Sequence, residues 1–115
     1  MVKRSIYQIM LANTVIHNLF NQQINYPINI AYNILKLKKE LDEIEELMLE
    51  RWNILFGKDY NVEKFTEDEI ILYNTTLETL VDIDIYGLTV NDLTNNSTVH
   101  LSLSDLENII LFLTT

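Results

Sequence analysis

The fold is decided by residues 27–56, whose sequence is PINIAYNILKLKKELDEIEELMLERWNILF. Apolar side chains recur in it at spacings of four and three residues, which is the period of one face of a helix. We call this face the seam, and its residues are Ile30, Ile34, Leu37, Leu41, Ile44 and Met48. The spacing predicts one helix of about 43 Å, around which the rest of the chain packs.

Both ends of this helix carry residues that suit a helix boundary. Pro27 fits a first helical turn, because its fixed φ suits the helix and its missing N–H needs no partner there. Gly57 suits the position after the last turn, where a left-handed residue is common. The seam must be buried to stabilise the helix. We therefore expect it to contact another helix, from the same chain or from another copy.

Two further helices are predicted from capping boxes and apolar periodicity. Ser5 with Gln8 opens a helix over residues 5–22, and a short connection then makes it an antiparallel hairpin with the long helix. Thr66 with Glu69 opens a third helix, which we expect to cover the part of the seam that the first helix does not reach.

The remaining chain alternates with period two, which is typical of strands. Residues 81–85 and 99–103 are the two strand candidates, and together they predict a small β-hairpin packed on the helices. Residues 89–93 fit a turn of helix, and we expect a loop over residues 95–97.

The C-terminal end opens with a third capping box, Ser104 with Glu107, which predicts a short apolar helix through Leu113. Residues 109–113 fit a strand as well. The predicted fold class is therefore α+β, mostly α. It comprises an antiparallel helical hairpin with one long helix, a third helix, a small β-hairpin and a short C-terminal helix.

Length and composition indicate one domain over residues 1–115, with a helical hairpin in 1–57 and an acidic α+β part in 58–115. Residues 1–39 carry a charge of +5 and residues 40–115 a charge of −14, within a net charge of −9. An acidic surface repels nucleic acid and membranes and attracts basic proteins. We expect no transmembrane span and no signal peptide.

The residues needed for common chemistries are missing or badly spaced. The chain has no cysteine, which excludes thiol catalysis and thiolate metal sites. His17 and His100 have no Asp or Glu three or four positions away, so the helical metal-ligand spacings fail. Gly57 and Gly87 are the only glycines, so a phosphate-binding glycine loop is not available. We therefore expect no enzyme, no cofactor and no metal site.

An acidic run in the long helix has two interpretations. Glu40, Glu43, Glu46 and Glu50 form either a docking face for a basic protein or a solvated helix face beside the seam. Lysines at one end of the run argue against mimicry of a nucleic acid, which needs acids over a whole face.

The order of these features resembles a family of small acidic tailed-phage proteins of unknown function. Its pattern is matched by these segments: 26–28 (YPI), 31–32 (AY), 81–85 (VDIDI), 88–93 (LTVNDL) and 103–106 (LSDL), with Leu35 and Phe112. The resemblance implies a phage origin and no particular activity.

Two functions remain as hypotheses. The first is a non-enzymatic bacteriophage protein, a virion or assembly component, that associates with itself or with other proteins through the long helix. Its predicted interface is the seam, which is longer than the first helix can cover. The second is an early phage inhibitor that binds a basic host protein through the acidic face. Either predicts a location in the host cytoplasm or the virion.

Overall fold

The structure is a computed structural model that describes residues 1–95 and 98–114. It is a mostly helical α+β fold, 47 Å along its longest axis. The elements in chain order are β1 (Val2–Ser5), α1 (Ile6–Asn21), α2 (Ile28–Phe56), α3 (Glu67–Glu78), β2 (Leu80–Ile83), α4 (Val90–Thr94) and α5 (Leu103–Ile109). Short 3-10 segments lie at Val62–Lys64 and Ile110–Phe112.

The long helix forms as predicted, without a break, and runs from Ile28 to Phe56. Pro27 lies just before its first turn as the N-cap residue, with an extended ψ of 147°. Gly57 follows the last turn with a φ of +89°, and its N–H donates to the carbonyl of Asn53. A positive φ is costly for a residue with a Cβ, which explains the glycine at this position.

α1 packs antiparallel against α2, as the helical hairpin requires. The direction follows from the side-chain pairs, because Asn13 contacts Glu45, whereas Phe20, later in α1, contacts the earlier residue Lys38. The predicted capping box is present: the Ser5 hydroxyl accepts from the N–H of Gln8, whose side chain accepts from the N–H of Ser5.

The seam of α2 lies in the chain's own core. Ile34, Leu37 and Leu41 are buried. The other three seam residues are partly buried and pack against the same core; they are Ile30, Ile44 and Met48. The core also includes buried residues from α1, β2 and the C-terminal segment, among them Ile9, Ile16, Ile83 and Phe112. The chain itself therefore supplies the contacts that the seam requires.

α3 covers the C-terminal part of α2 through an aromatic cluster. Trp52 is buried, its indole N–H donates to the Thr76 hydroxyl at 2.7 Å, and its ring lies 4.8 Å from that of Tyr73. Phe56 adds a contact of 4.6 Å with Phe65. A buried indole N–H needs such an acceptor, so this hydrogen bond helps to fix α3 against α2.

The β-hairpin predicted from residues 81–85 and 99–103 does not form. β2 pairs instead with β1, antiparallel, with Val2 opposite Ile83 and Ser5 opposite Leu80. Lys3 and Asp82 face each other in this register and form an ion pair of 3.1 Å. Residues 99–102 form no strand. The chain start is the better partner because it enters α1 directly beside the end of α3, where the N–H of Ile6 donates to the carbonyl of Thr79.

The C-terminal helix begins earlier than predicted. Its capping box is Ser102 with Asp105, not Ser104 with Glu107, and α5 ends at Ile109. Both boxes have the same spacing. The helix begins at the earlier one because residues 99–103 do not form the predicted strand and Leu103 is free to join the helix. The alternative of a strand over 109–113 is excluded by the 3-10 segment Ile110–Phe112.

The short helix predicted over residues 89–93 is present as α4, which ends at Thr94. Of the loop predicted over residues 95–97, Asn96 and Ser97 lie outside the described residues.

Candidate interaction surface

One surface open to a partner is the side of α2 that points away from the core. We call it the outer face of α2. Its apolar residues are exposed and lie towards the two ends of the helix: Ile28, Tyr32, Leu35, Leu47 and Ile54. Its charged residues are exposed and fill the middle: Lys36, Lys39, Glu43, Glu46 and Glu50. On a helix of 3.6 residues per turn, all ten lie within about 60° of the direction opposite Leu41, the centre of the seam.

The outer face is bounded on both sides by contacts within the chain. On one side, Lys38 and Asp42 of α2 contact α1. On the other side, Glu40 accepts hydrogen bonds from the N–H of Asp84 at 3.1 Å and the hydroxyl of Tyr86 at 2.7 Å. The face is thus a stripe along the helix with fixed borders.

These contacts divide the predicted acidic docking face. Glu43, Glu46 and Glu50 are exposed on the outer face. Glu40 is partly buried, and its carboxylate accepts a hydrogen bond from the Tyr86 hydroxyl. This hydrogen bond, together with burial, raises the pKa of Tyr86 to about 12. A carboxylate engaged in this way stabilises the fold, so three of the four predicted glutamates are available to a partner.

An open groove of about 500 Å³ lies beside the outer face, where α1 turns into α2. Its apolar walls come from both helices and from the connection, and they include Leu19, Phe20, Ile24, Ile34 and Leu35. Among the described residues that line the groove, the titratable side chain is that of Tyr26, whose hydroxyl donates to the carbonyl of Leu93 at 2.8 Å. Burial raises the pKa of Tyr26, so this groove offers apolar contact rather than acid–base chemistry.

A polar cluster joins α1 to α2 further along the hairpin. The Asp42 carboxylate lies 2.7 Å from Nε2 of His17, 3.0 Å from Nζ of Lys38 and 3.0 Å from Nδ2 of Asn13. Partial burial by itself raises the pKa of Asp42, but the hydrogen bonds from these three side chains outweigh it and lower the pKa to about 2. Asp42 therefore stays ionised and ties the two helices together.

The two histidines make different contacts, and His100 does not lie on the strand predicted for it. His17 belongs to the polar cluster, and His100 is exposed, with its backbone N–H and C=O hydrogen-bonded to the Gln22 side chain. Across residues 1–95 and 98–114, no group of three or more His, Asp or Glu side chains is arranged to hold a metal ion. In the same ranges, no helix has the length and apolar character needed to cross a membrane.

Comparison with protein-family models, with curated proteins and with solved structures finds no match for this chain. The resemblance to tailed-phage proteins therefore stays a prediction.

The sequence interpretation missed the outer face as a unit because it followed the seam. The signal was present in the same stretch, since Tyr32, Leu35 and Lys39 recur at spacings of three and four on the opposite side of the helix. What the sequence does not show is which charges are engaged. Glu40 and Asp42, on opposite sides of the helix, bind residues far away along the chain, whereas Glu43 lies on the outer face and is exposed.

Proposed function

We propose that this protein is a non-enzymatic bacteriophage protein that acts through protein–protein contacts, as a component of the virion or of its assembly. The observation that carries the proposal is the outer face of α2, a long exposed stripe with apolar residues at its ends. The phage assignment rests on the sequence resemblance alone.

The exposed apolar side chains favour a contact function. Ile28, Leu47 and Ile54 are 87%, 67% and 84% exposed, although they lie on one well-formed helix. Single exposed apolar residues are ordinary on protein surfaces, whereas several along one helix face favour an interaction site. The adjoining groove extends this apolar surface to Phe20.

Site-specific photo-crosslinking tests this proposal. A benzoylphenylalanine introduced at Leu35 places the probe on the outer face, and the same residue at Leu103, which is 86% exposed on α5, is the matched control. In infected cells that produce the tagged protein, we expect a defined protein adduct from position 35 that position 103 does not give. The same probe is placed at Lys39 and at Leu47, further along the outer face. The proposal is wrong if positions 35, 39 and 47 give no adduct or only those of position 103.

A second candidate function is inhibition of a basic host protein, and the exposure of Glu43, Glu46 and Glu50 favours it. Reversal of these three residues to lysine would abolish such binding, because a basic partner would then be repelled. Reversal of Glu78 and Glu107, which are exposed elsewhere, is the control and should leave it intact. Equal loss with both sets of changes would point to net charge alone and would contradict a defined acidic site.

A further inference from the structure

The charges on the outer face of α2 follow an order that helix physics does not favour. Lys36 and Lys39 lie in the N-terminal half, and Glu43, Glu46 and Glu50 lie in the C-terminal half. Within the helix, a lysine four residues before an acid, as Lys39 is before Glu43, is the less favourable pair orientation.

The same order of charges becomes complementary when two copies of α2 lie side by side in opposite directions. If two copies of α2 lie antiparallel with their centres near residue 41, Lys39 of one copy faces Glu43 of the other. Lys36 and Lys39 together then lie along Glu43 and Glu46 of the second copy. The arrangement is two-fold symmetric, so every such contact occurs twice, as in most protein dimers.

From this charge order we infer that the partner of the outer face is a second copy of the same chain, docked antiparallel along α2. The inference rests on the proposed function and names its partner. The ends of the face agree with it, because Ile28 of one copy comes level with Ile54 of the other, and both side chains are exposed in the single chain. A parallel pairing would instead place lysine beside lysine and glutamate beside glutamate.

The interaction has the properties of an exposed charged helix pair. Its central contacts are solvent-accessible ion pairs, which salt screens and which contribute modestly. The dimer should therefore depend on protein concentration and should weaken as NaCl is added. The buried seam takes no part, so dimerisation requires no opening of the core.

Two complementary variants test the inference in the full-length protein. Lys36→Glu with Lys39→Glu makes the outer face acidic throughout its middle, and Glu43→Lys with Glu46→Lys makes it mainly basic. Each variant alone should repel its own copy and raise the dimer dissociation constant at least about tenfold. An equimolar mixture should form a heterodimer, because every reversed charge then faces its opposite.

Sedimentation velocity from micromolar to millimolar concentration is the measurement, and circular dichroism checks that each variant is folded. The control is Lys58→Glu with Lys64→Glu, which makes the same change in net charge as Lys36→Glu with Lys39→Glu, at exposed positions outside α2. We expect the wild type and the control to dimerise, both test variants to be monomeric, and their mixture to dimerise.

A wild type that stays monomeric throughout, or a mixture that stays monomeric, would overturn the antiparallel dimer. That result is distinct from failure of the proposed function. A photo-adduct from position 35 with a different protein would then leave the contact function in place with another partner. The absence of any adduct would contradict both the antiparallel dimer and the proposed contact function.

Discussion

The inner and outer faces of α2 lie on the same helix and contain similar apolar residues in different patterns. On the inner face, apolar residues follow one another without a charge from Ile30 to Met48, and the chain's own core covers them. On the outer face, charged residues separate Leu35 from Leu47, and the whole stripe is exposed. A continuous seam buries enough apolar area to fix the fold, whereas an interrupted one leaves the surface open to a partner.

The largest expected effect is on the free energy of unfolding, and it distinguishes the two faces when a leucine on each is replaced by alanine. Leu41→Ala removes a fully buried side chain and should lower the free energy of unfolding by about 2 to 5 kcal/mol. Leu47→Ala removes an exposed side chain of the outer face and should change it by less than about 0.5 kcal/mol. Urea unfolding measures both. Equal losses would mean that the outer face is part of the folded core.

A smaller effect, dependent on pH, should separate Asp42 from its neighbour Glu43. The pKa of Asp42 is lowered from 3.8 to about 2. Its contribution to stability is therefore complete above its unfolded pKa, near 4, and is lost as the pH falls towards 2. Asp42→Asn should destabilise the protein by about 1 to 2 kcal/mol at pH 7. That difference from the wild type should shrink between pH 4 and pH 2.

The matched control for Asp42 is Glu43→Gln, which removes the next carboxylate along the helix, on the exposed outer face. It should change stability little at either pH. Urea unfolding at several pH values compares the two variants. A difference between Asp42→Asn and wild type that stays constant down to pH 2 would contradict the role of the ionised carboxylate in joining α1 to α2.

Local signals in the sequence predicted the three longer helices, α1, α2 and α3, but misplaced the start of α5. The seam, Pro27 and Gly57 defined α2, and the capping boxes at Ser5 and Thr66 defined the starts of α1 and α3. These signals work because each acts within one or two helical turns, where spacing alone determines which groups meet.

Pairing between distant parts of the chain was not predictable in the same way. Val2 and Ile83 meet across the sheet although they are far apart in the sequence, and a four-residue strand such as β1 has too little alternation to be recognised. Likewise, the engagement of Glu40 by Tyr86 and of Asp42 by His17 depends on how whole elements pack. The sequence therefore could not show that Glu40 is engaged within the fold while Glu43, Glu46 and Glu50 are exposed.

The most direct test of the antiparallel arrangement is the distance between two copies of one spin label. The chain has no cysteine, so Leu47→Cys and Ile54→Cys each give a single labelling site on the outer face. In an antiparallel dimer centred near residue 41, the distance between copies should be roughly 20 Å longer for the label at position 54 than at position 47. Equal distances at the two positions would show a parallel pairing and contradict the account, as would the absence of any dipolar coupling at concentrations up to the millimolar range.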